Sequence, residues 1–584
     1  MKFTPSKYQQ EIFDFIQFGV GNAVINAKAG SGKTTTLVEG LNLIQTKDRA
    51  LFVAFNKAIQ EDLSVKLEGK PNVAVRTYHS LGFSILKENF GKYGFFSINE
   101  HKYTVFINRN INNLTESAKL LSKQDLRTYK NNLKQLVDFA RFNLAQSADE
   151  ITRLCEKYDI VPISDECEVV PIILEWGANK VDEIDFTDMV WLCVERGLET
   201  YDFKYDFIFI DEAQDSSIMQ QELIKKCFKR GARFIAIGDE FQCINAFAGA
   251  DQDAFKKFRQ APNTVILNLP ISYRCPKKVI ELALEILGGE IIEPADNAID
   301  GEIRYDVSPY DPKDDDMVLC RNRAQLVKLY MQYTERNKKS YLKGRNIGDA
   351  FKKVIEETGQ EFLSRDMMCD GVFPRLYKNL FEMIAREMEL TGLEYEDVVN
   401  TQKVMDAIDT INALLVLAQG LTWKNDLISK IDMIFTDDAC EGVCLTTIHK
   451  AKGLEANNVY ILCNSLMPSR YATKKWEIEA EQNLIYVAVT RAKKTLNYIS
   501  EEEFPANMNG YNENLLLELE YQRKRMDRAL NIETQPLIAS GKTTDEMVSE
   551  DVRMILNKQG LGTRVVDEKR RKKVGGNKFA KFMK

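Results

Sequence analysis

Two short segments of this 584-residue chain carry residue types suited to handling a polyphosphate. The first is Ala27-Lys28-Ala29-Gly30-Ser31-Gly32-Lys33-Thr34, set between an apolar run, Asn22 to Ala27, and a segment with Leu37, Val38, Leu41 and Ile44 at helical spacing. A turn from strand into helix aims backbone N–H groups and a helix N-terminus at one spot, and glycine admits a phosphate where a Cβ would collide. Lys33 would neutralise the β- and γ-phosphates there, and Thr34, followed by Thr35, would offer its hydroxyl to Mg²⁺. Ala27 stands where the general pattern has its first glycine. The second segment is Phe207-Ile208-Phe209-Ile210-Asp211-Glu212-Ala213-Gln214, an apolar strand that delivers two adjacent carboxylates to a sheet's carboxyl edge. Asp211 would hold Mg²⁺ through water, while Glu212 would orient, or take a proton from, the attacking water. A second Gly-Lys-Thr string, Gly541 to Thr543, has Pro536 in place of the loop's first glycine and no apolar strand before it, so it reads as a polar turn or helix start.

Such segments need parallel sheets to position them. Ala50 to Phe55 follows the helical segment as the next strand of a βαβ unit, and Phe207 to Ile210, Phe234 to Ile237 and Val265 to Leu267 are unbroken apolar stretches of the kind buried on both faces. A polar stretch with helical periodicity, Glu100 to Lys180, interrupts this set. A second set, Met317 to Cys320, Val443 to Thr446, Val459 to Leu462 and Thr495 to Ile499, is interrupted in the same way from about Ala324 to Asp438. The expected plan is α/β: a first domain from 1–95 and 184–265 with an insertion at 96–183, and a second from 266–323 and 439–505 with an insertion at 324–438. An extension follows at 506–584.

The net charge of −7 provides no overall positive field, so a nucleic-acid site must be a local basic channel. Eleven scattered cysteines without a C-x-x-C pair, and three histidines, form no zinc or iron-sulfur pattern and suit reduced thiols in the cytoplasm. No apolar signal core opens the chain and no membrane-length apolar run follows, so neither secretion nor a membrane partner is expected.

Further segments accompany the two phosphate motifs in order. Tyr8-Gln9-Gln10, Thr77-Tyr78-His79-Ser80-Leu81-Gly82, Gly238-Asp239-Glu240-Phe241-Gln242, Tyr273-Arg274, Thr447-Ile448-His449-Lys450-Ala451-Lys452-Gly453-Leu454-Glu455 and Tyr486-Val487-Ala488-Val489-Thr490-Arg491-Ala492 together resemble the motifs of UvrD/Rep-type superfamily 1A helicases. The resemblance spans nearly the whole chain. It implies two RecA-like parallel-sheet domains flanking an ATP cleft, each with a mainly helical insertion. Catalytic roles then fall to Glu212, Lys33, Arg274, Arg491 and the γ-phosphate sensor Gln242. The nucleotide would meet Ala29, Gly30, Ser31, Gly32, Lys33, Thr34 and Thr35 of the loop, with Gln9 and Tyr273 on adenine, Gly453 and Glu455 near the ribose, and Arg274 and Arg491 on the phosphates. Single-stranded DNA would lie on Phe55, Asn56, Tyr78, His79, Phe247, Thr447 and His449, because aromatic platforms accept any base.

Three departures from the family pattern are visible. Ile244 to Ala250 lacks the tyrosine and arginine usual after the third motif, Phe55-Asn56-Lys57-Ala58 displaces the aromatic by one place, and the second insertion is smaller than usual. The implied activity is ATP-dependent, Mg²⁺-using translocation 3′ to 5′ on single-stranded DNA and unwinding at single-strand/duplex junctions. The rivals are a nucleic-acid-binding scaffold that keeps the fold with little turnover, and a nucleotide switch acting on proteins. The tail from Lys569 to Lys584, with eight Lys or Arg among sixteen residues, reads equally as a DNA arm, a protein-partner peptide or a solubilising end.

Overall fold

Parallel strands need crossover connections, and alternating apolar runs with helices supplies them twice in this chain. The structure, a computed structural model, describes residues 4–54, 57–91, 96–158, 160–244, 254–364, 369–391, 398, 401–436, 440–469, 472 and 475–506. The first sheet contains β1 (Asn22–Ala27), β2 (Ala50–Ala54), β3 (Val73–Thr77), β4 (Tyr205–Ile210), β5 (Phe228–Gly238) and β6 (Thr264–Leu269), in the order β3-β2-β4-β5-β1-β6 with every pair parallel. Its central strands are buried through Ala23 to Ile25, Ala50 to Ala54 and Ile208 to Ile210. All strands end at one edge, so β1 and β4 carry the phosphate loop and the carboxylate pair to the same side of the sheet.

β6 departs from the expected burial on both faces: Val265 is 42% and Ile266 50% exposed. It is the edge strand of its sheet, with a neighbour, β1, on one side only. The expected domain limit at 265/266 also falls inside β6, whose pairing with β1 extends to Leu269.

The second sheet contains β7 (Glu302–Val307), β8 (Met317–Cys320), β9 (Ser340–Lys343), β10 (Phe435–Thr436), β11 (Val443–Thr447), β12 (Ala456–Ile461) and β13 (Ala492–Ile499), in the order β7-β13-β12-β8-β11-β9-β10, again parallel. Here the expected insertion at 324–438 is too wide. Helix Arg323–Glu335 packs beside β9 and β11, and β9 and β10 are sheet strands; the second of two compact units takes in Asp349–Ile431. Ser340-Tyr341-Leu342-Lys343 has a single aliphatic residue, so its strand character comes from pairing with β11 and not from its own pattern.

Both sheets lie in the first unit, together with the helices Lys102–Leu114, Lys123–Asn143, Ala148–Tyr158 and Glu166–Asn179. A short parallel pair, Ser97–Ile98 with Glu183–Ile184, closes the base of this helical layer. Beneath it, Lys102 and Arg141, both essentially buried, meet Asp188 and Asp185 at 2.6 to 2.9 Å, so each buried charge has an opposite partner. The second unit is helical, with Val372–Thr391, Gln402–Leu417 and most of Lys424–Ile434 around buried Phe373, Leu376 and Leu414.

Candidate active site

The turn after β1 needs its glycines. Gly30 and Gly32 have φ of 74° and 75°, in the left-handed region, and a Cβ on Gly30 would lie 2.5 Å from Arg274 Cβ. Helix Lys33–Asn42 starts at once, placing Thr34 and Thr35 in its first turn. Ser31 is 1% exposed and its hydroxyl makes no hydrogen bond among the described residues, which leaves a buried polar atom suited to a ligand. Ala29 differs from its expected role: its N–H donates to Tyr486 Oη at 3.0 Å and is not free for a phosphate.

Lys33 Nζ ion-pairs with Glu212 Oε1 at 2.7 Å. Glu212 follows β4 with φ 48°, strained for a side chain of this size, and is fixed by Gln214, which donates to Glu212 Oε2 at 2.6 Å and accepts from Asp239 N–H at 3.1 Å. A Cβ on Gly238 would strike Gln214 Oε1 at 2.2 Å, so glycine there is what lets Gln214 reach. Burial disfavours the charge on Glu212, but Lys33 and Lys452 outweigh it and hold this carboxyl well below its ordinary range. Asp211 moves the other way, pushed up by burial and by Glu212.

The opposite wall comes from the second sheet. Arg274 Nε donates to Glu455 Oε2 at 2.6 Å and Lys493 holds Glu455 Oε1 at 3.0 Å. Gly453, at φ 85°, makes the turn that precedes Glu455. Arg491 is 1% exposed, yet its guanidinium bonds only to neutral groups: Val487 O at 2.9 Å, Leu454 O at 3.3 Å and Thr490 Oγ1 at 3.1 Å. Burial, with Arg274 adding to it, lowers its pKa from 12.5 to about 10. A desolvated cation with no carboxylate partner among the described residues is suited to receive an anion. Gln242 is 4% exposed and donates to Asp239 Oδ2 at 2.7 Å; the same oxygen takes the Tyr486 hydroxyl at 3.0 Å.

Tyr273 is 52% exposed, and its Cδ2 lies 3.9 Å from a Cβ position on Gly32. Gln9 sits beside the same glycine but is already engaged: Oε1 accepts Ser6 N–H and Nε2 donates to Thr36 Oγ1, each at 3.0 Å. One amide hydrogen and one lone pair remain for a base edge.

Several residues central to this geometry carried no role in the sequence reading. Lys452 reaches Asp215 Oδ2 at 2.5 Å and Gln242 O at 2.6 Å, joining the two walls across 237 and 210 residues. Gln214 and Tyr486 belong with it. Pairing over such separations leaves no local pattern, although all three lie inside the quoted motifs.

The nucleic-acid candidates divide. Phe55, Asn56 and Phe247 lie outside the described residues. Tyr78 cannot stack on a base in this conformation, since it is 4% exposed with its hydroxyl bonded to Ser216 Oγ at 2.9 Å. The Thr77–Ser80 capping box starts the helix so that Tyr78 turns inward and His79 outward. His79 is exposed and meets Phe186 edge to face at 6.4 Å; Phe186, 48% exposed, was missed because one aromatic in a polar stretch has no signature. On the second sheet Thr447 is buried at the end of β11, and His449 is half-buried. Burial, with Arg321 and Arg323, drives the His449 pKa down to about 3, so its ring is neutral at ordinary pH.

Among the described residues no helix is long and apolar enough to cross a membrane. The family model of the UvrD/REP helicase N-terminal domain matches residues 8–263, and that of the UvrD-like helicase C-terminal domain matches 442–499. The chain is similar to F-box DNA helicase protein 1 of Schizosaccharomyces pombe, 26% identical over 81% of this chain and 55% of that protein, so it spans about half the length of that relative. It is 21% identical to ATP-dependent DNA helicase Rep of Buchnera aphidicola, over 82% of this chain and 92% of the relative. It is also 21% identical to ATP-dependent DNA helicase PcrA of Bacillus subtilis, over 82% of this chain and 80% of the relative. The two matched segments together take in more than half of the chain, their order is that of the two parallel sheets, and the phosphate loop, paired carboxylates and facing arginines converge between them: the chain belongs to the UvrD/Rep-type family of ATP-dependent DNA helicases.

Proposed function

We propose that the protein hydrolyses ATP between its two sheets to move 3′ to 5′ along single-stranded DNA and to open duplex at single-strand/duplex junctions. The observation that carries this reading is Arg491, a buried cation with no carboxylate partner among the described residues, in a site where the phosphate-loop lysine is parked on the catalytic carboxylate. ATP between them would draw Lys33 from Glu212 to the β- and γ-phosphates. Arg274 would leave Glu455 for the γ-phosphate beside Arg491, and Glu212 would accept the proton of the attacking water. Thr34 and Asp211 are hard oxygen donors and would hold Mg²⁺, which when bound supplies charge neutralisation at the phosphate oxygens. Tyr273 and Gln9 would receive adenine.

Single-stranded DNA would cross His79 and Phe186 on the first sheet's side and His449 on the second's. We assign 1–95 with 184–269 to the first motor domain, 96–183 to its insertion, and 270–348 with 432–506 to the second motor domain. The basic tail is left to DNA or a protein partner, and eleven free thiols suit a reducing, cytoplasmic setting. The polarity rests on the likeness of Lys450 to Glu455 and Tyr486 to Ala488 to the superfamily 1A motifs. Streptavidin displacement from biotinylated single strands tests it: ATP-dependent release faster from the 5′ end is expected, and faster release from the 3′ end refutes the direction.

A further inference from the structure

Lys28 is a lysine inside the phosphate loop that does not point as Lys33 does. Its side chain is 9% exposed; Nζ ion-pairs with Glu290 Oε2 at 2.7 Å and lies 4.5 Å from the centroid of the Phe241 ring. Glu290 follows helix Lys277–Leu287 after Gly288 and Gly289, at φ 63° and 114°, and its neighbour Ile292 packs in the core of the second sheet. Phe241 precedes Gln242 and packs edge to face on Tyr486 at 6.4 Å. One ammonium carried by the phosphate loop therefore contacts two other parts of the cleft: the segment bearing the γ-phosphate sensor and a strap anchored in the opposite domain.

We propose that Lys28 is a positioning residue for hydrolysis, which ties the phosphate loop to Glu290 and Phe241 so that the two walls close in register around the γ-phosphate. This rests on the ATPase reading of the same site. The ground-state contacts to nucleotide would come from the first sheet's loop, from Lys33, from Gln9 and from Tyr273, whose own N–H is held by Gly30 O at 2.9 Å without Lys28. The contacts of Arg491 and Arg274 with the γ-phosphate do need the walls in register. Loss of the tie should therefore lower kcat and leave nucleotide affinity alone. Glu290 is 37% exposed, which moderates the pair; the shielded ammonium over an aromatic face strengthens it.

The test compares wild type, Lys28→Met, Glu290→Gln, the double variant and Lys28→Arg as full chains. Steady-state ATPase on single-stranded DNA gives kcat and KM, and N-methylanthraniloyl-ADP titration gives affinity. We expect each single charge removal to lower kcat about fivefold with KM and affinity within about twofold. The double variant should fall no further than the singles, and Lys28→Arg should recover most of the loss. Weakened nucleotide affinity in Lys28→Met with a normal Glu290→Gln overturns the proposal and makes Lys28 a phosphate ligand. Unchanged kcat in Glu290→Gln, or additive losses in the double variant, overturns it as well. A wild-type chain that binds no labelled ADP sinks the nucleotide reading itself.

Discussion

Two arginines, Arg491 and Arg141, are each 1% exposed, yet their removal should have opposite consequences. Arg491 is buried with no carboxylate partner among the described residues: a fall from 12.5 to about 10 corresponds to a charging penalty on the order of 3 kcal/mol in the folded state. Arg491→Met removes that penalty and three hydrogen bonds worth about 1 kcal/mol each, so folding stability should stay within about 1 kcal/mol of wild type. Arg141 instead binds Asp185, Asp188 and Asp138 at 2.6 to 2.9 Å, and Arg141→Met strands buried carboxylates at a cost of about 3 to 5 kcal/mol. ATP turnover should follow the reverse order. Arg491→Met should lose about a thousandfold in kcat as the γ-phosphate loses its partner, while the folded fraction of Arg141→Met keeps its turnover. Urea unfolding without nucleotide, paired with steady-state ATPase on the same samples, reads both. Equal destabilisation of the two variants, or an Arg491→Met kcat near wild type, refutes the argument that Arg491 is held for an anion. The sign with pH agrees: a cation with a depressed folded pKa makes stability rise between about 10 and 12.5, and Arg491→Met should flatten that rise in alkaline melts.

Glu212→Gln should keep ATP binding and lose hydrolysis, because an amide cannot accept the water's proton; failure to bind ATP in an equilibrium titration would give Glu212 another role. Phe186→Ala should weaken single-stranded DNA binding by about 1 to 3 kcal/mol in fluorescence anisotropy, whereas Tyr78→Phe, altered inside the core, should leave it unchanged, and the opposite ranking contradicts the exposed-aromatic assignment. His449 has a folded pKa of about 3 against an ordinary 6.5, so the unfolded chain binds its proton first and stability is lost as pH falls below 6.5; His449→Gln should remove part of that loss in melts at pH 5 and 7, and an unchanged acid sensitivity counts against a half-buried neutral ring.

The phosphate loop and carboxylate strand could be read from sequence because each is local: the glycine spacing, the following helix and the apolar strand lie within a dozen residues of the chemistry. The same holds for central strands such as β1, β2 and β4, whose burial on both faces writes the apolar runs Ala23 to Ile25, Ala50 to Ala54 and Phe207 to Ile210. Edge and short strands escape this rule. β7, Glu302 to Val307, is largely exposed and alternates weakly, and β9 has one aliphatic residue, so only their neighbours β13 and β11 make them strands. Side-chain direction escapes it too, as Tyr78 and His79 differ by one position and face opposite ways. Charges that find each other across hundreds of residues, such as Lys452 with Asp215 and Lys28 with Glu290, become visible only when the two sheets meet.

On the proposed function, ATP is hydrolysed between the sheets under the control of single-stranded DNA. The most direct measurement is the ATPase rate of the full chain with no nucleic acid, with a single-stranded oligonucleotide and with a blunt duplex, beside Lys33→Ala under the same conditions. The account predicts strong stimulation by the single strand, little by the blunt duplex, and loss of turnover in Lys33→Ala while single-strand binding persists. A rate indifferent to single-stranded DNA, or turnover that survives in Lys33→Ala, would contradict it.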